Sequence, residues 1–234
     1  MSPRLRRRCL AMRNIVASLF VSLDGVIQGP GGPTEDTTGG FDEGGWVFKF
    51  WDEDADEAIG SVYTGEYDLL LGRRSYDIFA AYWPYVTGDA AAMGEAFTAV
   101  SKFVLTRGTH ALEWENSGRL AGIDDVAALK ASDGPDLIIP GSGTIIPQLL
   151  ATGLIDRLML LTFPLTLGKG KRLFGDGTLA NLLTMVDHKV TPKGIVIATY
   201  KPAGALPPYP PHAPEQSTSK REAMRQKRMA EGSW

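Results

Sequence analysis

The hydrophobic residues of this chain occur in short runs, separated by segments rich in glycine, proline and charged residues. Four of these runs are apolar and β-rich, and they predict buried strands. They span residues 14–23, 67–72, 102–106 and 136–141. Segments with helical signals lie between or after them, at 51–64, 73–83, 123–132 and 143–153. This alternation predicts a parallel sheet with helices on its faces.

The pattern changes after residue 155. Three strand-like runs follow with few helix signals, at 156–168, 183–192 and 194–202, and the sequence TPKG provides a turn before the last of them. Pro164 lies inside the first run, so we expect an edge or a bulge there. The predicted fold is therefore α/β and three-layered, with a mixed, mainly parallel sheet, helices on both faces and a C-terminal antiparallel hairpin.

Composition divides the chain into three parts. Residues 1–13 contain five arginines and no acidic residue, and we expect a disordered extension. Residues 14–201 form one domain. Residues 202–234 are Pro-rich and then basic, which is typical of a linker with a disordered or weakly helical end. Met12 is an alternative start, and a secretion signal is disfavoured because polar residues interrupt the short apolar stretch that follows the arginines.

Charge and composition exclude several classes of protein. Residues 14–200 hold 13 Lys/Arg and 24 Asp/Glu, a balance of −11, which disfavours nucleic-acid binding. The single cysteine excludes an internal disulfide, and the histidines lack the spacing of helical metal ligands, so we expect no metal site. No apolar run approaches the roughly 18 residues of a membrane span. We expect a cytoplasmic protein that binds a small molecule.

Three predicted strands end in groups that suit phosphate. In an open parallel sheet, ligands bind at the carboxyl ends of the strands, and a following helix offers free N–H groups and a partial positive charge. Together the three ends predict a nucleotide or dinucleotide site. The candidate residues are Gly72, Arg73, Arg74, Ser75, Thr106, Arg107, Gly141, Ser142, Gly143 and Thr144, with Ile145 at the following helix.

Each of these groups also has a purely structural interpretation. The Gly-Ser-Gly triplet at 141–143 lacks the third glycine of a dinucleotide fingerprint and is compatible with a simple tight turn. Arg73 and Arg74 are compatible with solvated residues on the first turn of a helix. Lys169, Lys171 and Arg172 have the wrong spacing for a phosphate-binding loop, and we expect a solvated turn there.

Four segments resemble the dihydrofolate-reductase-like superfamily in order and spacing, and most closely its branch containing the reductase domain of riboflavin biosynthesis. They are SLDGVI at 22–27, LLLGRRSYDIF at 69–79, FVLTR at 103–107 and the long motif at 137–174. The resemblance covers about residues 14–200. It implies that NADPH is the cofactor. The phosphates would lie at Gly72 to Ser75, the 2′-phosphate at Thr106 and Arg107, and the pyrophosphate at Gly141 to Ile145.

The substrate side is less distinctive. Asp24 follows the first strand, where it either orients substrate or nicotinamide or is a turn residue beside a glycine. Trp46 and Phe50 are candidates to stack on a flat heterocycle, with core packing as the alternative. Asp52 is one of several acids that start the helix at 51–64. None of these acids has the distinctive surroundings of a folate-protonating residue, which weakens the case for folate.

The sequence therefore predicts an NADPH-dependent reductase of a small heterocycle, most like the pyrimidine reductase of riboflavin biosynthesis. The alternatives are a dihydrofolate or pterin reductase and a non-catalytic nucleotide-binding protein that kept the fold. No zinc-deaminase signature accompanies the reductase motifs. We also expect a homodimer, because the apolar run at 158–167 is predicted to lie near a sheet edge that a second subunit would cover.

Overall fold

The computed structural model describes residues 12–211 and 219–233, so most of the predicted N-terminal extension, residues 1–11, lies outside the described residues. The chain divides into two compact units, one ending at Gly204 and one beginning at Ala205. The second unit contains α6 (Lys220–Ala230), whose first turn is capped by the Ser219 hydroxyl. The first unit contains β1 (Ile15–Ser22), α1 (Glu53–Val62), β2 (Tyr67–Gly72), α2 (Arg73–Tyr82), α3 (Ala91–Ala99), β3 (Lys102–Leu105), β4 (Ser117–Leu120), α4 (Ile123–Ala131), β5 (Asp136–Pro140), α5 (Ile146–Ala151), β6 (Arg157–Phe163), β7 (Leu183–Val190) and β8 (Val196–Pro202).

The strands form one eight-stranded sheet in the order β4-β3-β2-β5-β1-β6-β8-β7. Neighbouring strands from β4 to β6 are parallel, whereas β8 pairs antiparallel with both β6 and β7. The predicted mixed sheet with a C-terminal antiparallel hairpin is confirmed. Sequence analysis missed α3 and β4. The strand β4 is only four residues long, SGRL, and it lacks the apolar run by which buried strands are recognised.

Helices cover both faces of the sheet, as predicted. The alternation of side chains along β5 shows this, because Leu137 and Ile139 pack with α4 and α5 in one core cluster. Ile138 points to the other face and packs with α2 and α3. Helix α1 contributes Ala55 to a third cluster, together with the β6 residues Leu161 and Phe163. The result is a three-layer α/β fold.

The expectation that residues 158–167 lie at a sheet edge was wrong. Strand β6 ends at Phe163, and Pro164 follows it. The strand lies between β1 and β8, with Leu160 paired to Leu19 on one side and to Ala198 on the other. Its apolar character reflects burial in the middle of the sheet. The outer strand at this end is β7, where Met185 and Val186 are each about half exposed.

The amino ends of the central strands are held by a buried ion pair. Arg13, which sequence analysis placed in the N-terminal extension, is only 3% exposed and pairs with Asp68 of β2. The second oxygen of that carboxylate accepts the N–H of Ser101 at 3.2 Å. The Arg13 N–H donates to the carbonyl of Lys130 at 2.9 Å. The folded unit therefore includes Arg13.

Replacing Arg13 with Met should destabilise the protein by about 3–5 kcal/mol, because the substitution leaves the Asp68 charge buried and unpaired. The double variant Arg13→Met/Asp68→Asn should be more stable than Arg13→Met alone, since it removes that charge. Urea unfolding followed by circular dichroism measures both. A loss of only about 0–1 kcal/mol for Arg13→Met would be typical of an exposed pair and would contradict this assignment.

Candidate active site

The carboxyl ends of four neighbouring strands meet at one edge of the sheet. Strands β3, β2, β5 and β1 are adjacent and parallel, so the residues that follow them lie side by side. The three predicted phosphate-binding ends follow β3, β2 and β5, and are therefore consecutive. The structure brings together segments that lie up to about 70 residues apart in the chain, as the hydrogen bond between Gly72 and Ser142 illustrates.

Hydrogen bonds join the ends of β2 and β5 directly. The Gly72 N–H donates to the Ser142 hydroxyl at 3.0 Å, and the Ser142 N–H donates to the Ser75 hydroxyl at 3.0 Å. Gly141 and Ser142 both adopt left-handed backbone angles, with φ of 63° and 51°. That conformation costs a non-glycine residue energy, and it persists because both polar groups of Ser142 are engaged. The junction between β2 and α2 and the turn before α5 thus form one connected unit.

Close packing explains why this unit contains glycines. A Cβ atom on Gly72 would lie 3.3 Å from Ile145 Cγ2, and one on Gly143 would lie 1.9 Å from Ile27 Cδ1. A side chain at residue 143 would therefore displace Ile27. Glycine at residue 143 is therefore explained by packing alone. The turn that contains it nevertheless exposes Gly141 and Thr144 just before α5.

Thr106 and Arg107 follow β3 and have different environments. Thr106 is nearly buried; its N–H donates to the Leu120 carbonyl at 3.0 Å, and its hydroxyl accepts the Gly108 N–H at 3.1 Å. Arg107 is exposed, and within the described parts of the chain its guanidinium makes no hydrogen bond or ion pair. Arg107 is therefore available to an anionic ligand.

Arg73 and Arg74, which sequence analysis treated as a pair, are not equivalent. The Arg73 guanidinium is bound to the Asp77 carboxylate at 2.8 and 2.9 Å and to two backbone carbonyls, those of His110 and Ala111. Arg74 is half exposed, and its nearest acid is Asp36 at 3.9 Å. Of the two, Arg74 has the guanidinium that is more open to a ligand.

Asp24 fixes a neighbouring loop to the end of β1. Its carboxylate accepts hydrogen bonds from the Ser22 hydroxyl at 2.6 Å and from the N–H groups of Leu167 and Gly168 at 3.0 and 2.8 Å. Burial acts to raise the pKa of Asp24, but these hydrogen bonds outweigh it and lower the pKa to about 2. The carboxylate is therefore ionised at neutral pH and is fully occupied by protein donors.

Residues 168–172 are mostly exposed, as expected of a solvated turn, but their lysines are paired with acids. Lys169 pairs with Asp42 at 2.7 Å, and Lys171 pairs with Asp36 at 2.6 Å, so the basic segment binds the long loop between β1 and α1. Burial acts to raise the pKa of Asp36, but hydrogen bonds from Lys171 and Thr38 lower it. A cavity of about 230 Å³ lies between the two segments. It is lined by Gln28, Thr38, Gly39, Phe41, Lys169, Gly170 and Lys171.

The predicted substrate residues have mainly structural contacts. Trp46 is 0% exposed, donates its indole N–H to the Gln28 carbonyl at 2.9 Å and packs edge-on against Phe163. Its ring belongs to the core, so Trp46 is not accessible for stacking on a ligand. Phe50 is partly buried against the same Phe163 ring. Of the two interpretations of these aromatic residues, core packing is the one that the structure favours.

Asp52 caps the N-terminus of α1. Its carboxylate accepts the N–H groups of Ala55 at 3.1 Å and Lys193 at 3.2 Å, which ties the helix to the turn before β8. Burial acts to raise the pKa of Asp52, but hydrogen bonds, led by that of Thr191, lower it. Like Asp24, Asp52 is ionised at neutral pH and does not carry a proton to donate.

The described residues contain no group of three His, Cys, Asp or Glu side chains that could hold a metal ion. Among the described helices, none is both long and apolar enough to cross a bilayer.

Arg119 of β4 is a residue that sequence analysis missed: its guanidinium binds carbonyls of the loop that carries Arg107. Those carbonyls lie 9 and 11 residues away in an irregular segment, so no sequence periodicity indicates the contact.

The family model of the RibD C-terminal domain matches residues 13–197. The chain belongs to this family. A relative, the uncharacterized protein YyaP of Bacillus subtilis (strain 168), is 27% identical over 197 residues, which cover 82% of this chain and 96% of the relative. The matched region begins at Arg13, in agreement with the burial of that side chain.

Two solved structures share the fold of this RibD C-terminal domain. A putative riboflavin biosynthesis protein from Shewanella sp. PV-4 aligns with a TM-score of 0.59 at 18% identity, over 81% of this chain and 98% of the other. A pyrimidine reductase-like protein from Corynebacterium diphtheriae aligns with a TM-score of 0.50 at 13% identity, over 81% and 92% of the two chains. These two proteins thus share the mixed α/β fold that was predicted from the sequence.

Replacing Asp24 with Asn should destabilise this RibD C-terminal domain by about 1–2 kcal/mol at neutral pH, because the carboxylate binds its donors in the ionised form. The folded-state pKa of about 2 lies below the ordinary value of 3.8, so the stabilisation is complete above about pH 4 and is lost as pH falls towards 2. The difference in unfolding free energy between wild type and variant should therefore shrink over that range.

Chemical denaturation at a series of pH values measures this difference. Asp42→Asn is the matched control, because it removes an equally charged side chain from an exposed ion pair and should have a much smaller effect. A wild-type advantage that stays constant down to pH 2 would show that Asp24 does not act through its charge.

Proposed function

We propose that this protein is an NADPH-dependent reductase of a small, flat, polar heterocycle, of the type that reduces 5-amino-6-(5-phosphoribosylamino)uracil in riboflavin biosynthesis. The RibD C-terminal domain is a reductase domain, which supports an oxidoreductase activity. The observation that carries the proposal is the set of three adjacent strand ends. They combine an exposed Arg107, which has no partner among the described residues, with two helix starts that hydrogen bonds join through Ser142.

The residues at these strand ends fit a dinucleotide phosphate. The N-terminus of α2 begins directly after Gly72, where N–H groups and a partial positive charge favour an anion. The left-handed backbone at Gly141 and Ser142 forms the corresponding turn before α5. Arg74 and Arg107 add guanidinium groups that can bind phosphate oxygens. When bound, NADPH would supply the hydride for the reduction.

Asp24 has a positioning role in this proposal. It holds the backbone at Leu167 and Gly168 against the end of β1, and this loop lines one side of the 230 Å³ cavity. Because its carboxylate is ionised and saturated with donors, Asp24 orients this loop and does not supply the proton. The same conclusion applies to Asp52, and it disfavours a folate-type mechanism that uses an acid at the start of α1 as proton donor.

Assaying NADPH oxidation with a panel of substrates tests the proposed activity. The panel should contain the aminouracil ribosyl phosphate of riboflavin biosynthesis, dihydrofolate and a pterin. Turnover of the aminouracil alone supports the proposal. Turnover of dihydrofolate instead would identify a folate reductase, and cofactor binding without any turnover would identify a nucleotide-binding protein that kept the fold.

We also propose that the protein is a homodimer, because the outer strand β7 is exposed. The outer strand β7 is exposed along most of its length, and Met185, Val186 and Val190 are each about half exposed or more. An exposed edge strand with apolar side chains favours association with another chain unless it is covered. A second copy related by a twofold axis would cover this edge, and dimers of this symmetry are the commonest oligomers.

NADPH should bind more tightly than NADH, because Arg107 is placed to pair with the 2′-phosphate. A charge-assisted contact of this kind contributes about 1.5–3 kcal/mol, which is roughly tenfold to a hundredfold in affinity. Titrating both cofactors into wild type and Arg107→Ala by fluorescence measures the preference. An Arg107→Ala variant that keeps the wild-type preference would show that this residue does not read the 2′-phosphate.

Multi-angle light scattering at micromolar protein should give a mass of about 50 kDa, twice the chain mass of 25.3 kDa. Replacing Val186 with Lys should shift the protein towards the monomer, because the charge would be buried at a β7 interface. Arg157 is exposed and is the first residue of β6, which is not the outer strand. Arg157→Ala is therefore a control that should not shift the protein towards the monomer. A monomer mass for wild type would contradict the proposed dimer.

A further inference from the structure

Two arginines bind the same short loop, one that precedes it in the chain and one that follows it. The loop, residues 106–112, follows β3 and carries Arg107. Arg119, on β4, donates to the carbonyls of Gly108 and His110, the latter at 2.6 Å. Arg73, at the start of α2, donates to the carbonyls of His110 and Ala111 at 3.0 and 3.1 Å. Three of the loop's carbonyl groups are thus bound by two guanidiniums.

Both arginines are themselves fixed. Arg73 is held by the bidentate Asp77 carboxylate and lies over the Tyr76 ring, 5.6 Å from its centroid. Arg119 is anchored by the sheet, because its position on β4 is paired in register with Val104 of β3. A planar guanidinium that donates to two acceptors constrains their geometry more strongly than a single ammonium does. The two side chains therefore act as a clamp on the loop.

The clamp determines which groups the loop offers to a ligand. In a trans peptide the N–H points opposite to the C=O, so carbonyls drawn to the arginines leave the following N–H groups facing away from them. These are the N–H groups of Thr109, Ala111 and Leu112, for which no acceptor exists in the described part of the chain. Because these carbonyl oxygens are turned away and Arg107 has no partner among the described residues, the loop favours an anion.

We propose that Arg119 and Arg73 are positioning residues for cofactor specificity, which hold the 106–112 loop so that Arg107 and the loop N–H groups receive the 2′-phosphate of NADPH. This inference rests on the proposed function. It assigns Arg73 a role different from that of a phosphate ligand, because its guanidinium is already bound to Asp77 and two carbonyls. It also gives a role to Arg119.

Three variants of the full-length protein test the clamp. Arg119→Ala removes both carbonyl contacts, and Arg119→Lys keeps the charge without the planar fork. Arg157→Ala removes an exposed arginine at the amino end of β6, away from the carboxyl ends of the strands. The probes are NADPH, NADH and adenosine 2′,5′-bisphosphate, titrated by fluorescence or calorimetry. The bisphosphate carries the 2′-phosphate without the nicotinamide, so its binding isolates this end of the site.

Arg119→Ala should weaken NADPH and the bisphosphate about tenfold, and should change NADH by less than about twofold, because NADH lacks the 2′-phosphate. Arg119→Lys should resemble Arg119→Ala, and Arg157→Ala should resemble wild type. An Arg119→Ala variant with the wild-type preference would overturn the inference. Full recovery in Arg119→Lys would overturn it as well, since charge alone would then be sufficient.

A cofactor-free measurement separates this inference from the proposed function. Trypsin cleaves after Arg107, and cleavage of a loop requires local opening of the chain. Without nucleotide, Arg119→Ala should be cut between Arg107 and Gly108 several-fold faster than wild type or Arg157→Ala, as judged by mass spectrometry of the fragments. Equal cleavage rates would overturn the clamp even if NADPH binds. A wild type that binds neither dinucleotide would overturn the proposed function, and the cleavage rates would then decide the clamp alone.

Discussion

Parallel strands place their carboxyl ends at a common edge, and the candidate site of this protein depends on that constraint in four neighbouring strands. Strands β3, β2, β5 and β1 run side by side, so the loops after them meet without any further folding element. The hydrogen bonds from Gly72 to Ser142 and from Ser142 to Ser75 then join two of these loops directly. If the order of these strands were different, the three segments proposed to bind phosphate would not be neighbours.

The cations around this edge have separate tasks. The domain is acidic, so most of the lysines and arginines near the site have a carboxylate or a carbonyl within hydrogen-bond or ion-pair distance. Lys171 and Arg73 are bound by protein acceptors and hold loops in place, whereas Arg107 makes no such contact within the described residues. We expect this difference in partners, rather than positive charge alone, to determine which of these side chains can bind a ligand. A guanidinium that already binds protein acceptors holds a loop in its conformation, whereas one without protein acceptors can bind an anionic ligand.

The acids of the site show the same division. Asp24 follows β1, and Asp52 precedes α1. Sequence patterns suggest chemistry at both kinds of position. Both carboxylates accept several protein donors, and both have a lowered pKa. Their stabilising contribution comes from the ionised form, which is incompatible with supplying a proton at neutral pH. These acids therefore organise the candidate site: Asp24 holds the loop after β6, and Asp52 joins the start of α1 to the turn before β8.

Sequence by itself determined the layers and most of the strands along the chain, because alternation of apolar runs and helix signals is a local property. The binding of phosphate at the three strand ends stays a prediction. It could not determine which strand lies at an edge, and the run at 158–167 was misplaced for that reason. Nor could it separate Arg73 from Arg74, recognise the burial of Trp46, or identify Arg119. Each of these depends on partners distant in the chain, such as Asp36, Phe163 and the His110 carbonyl. Only tertiary structure decides such contacts, because they exist only after the sheet has brought its strands into register.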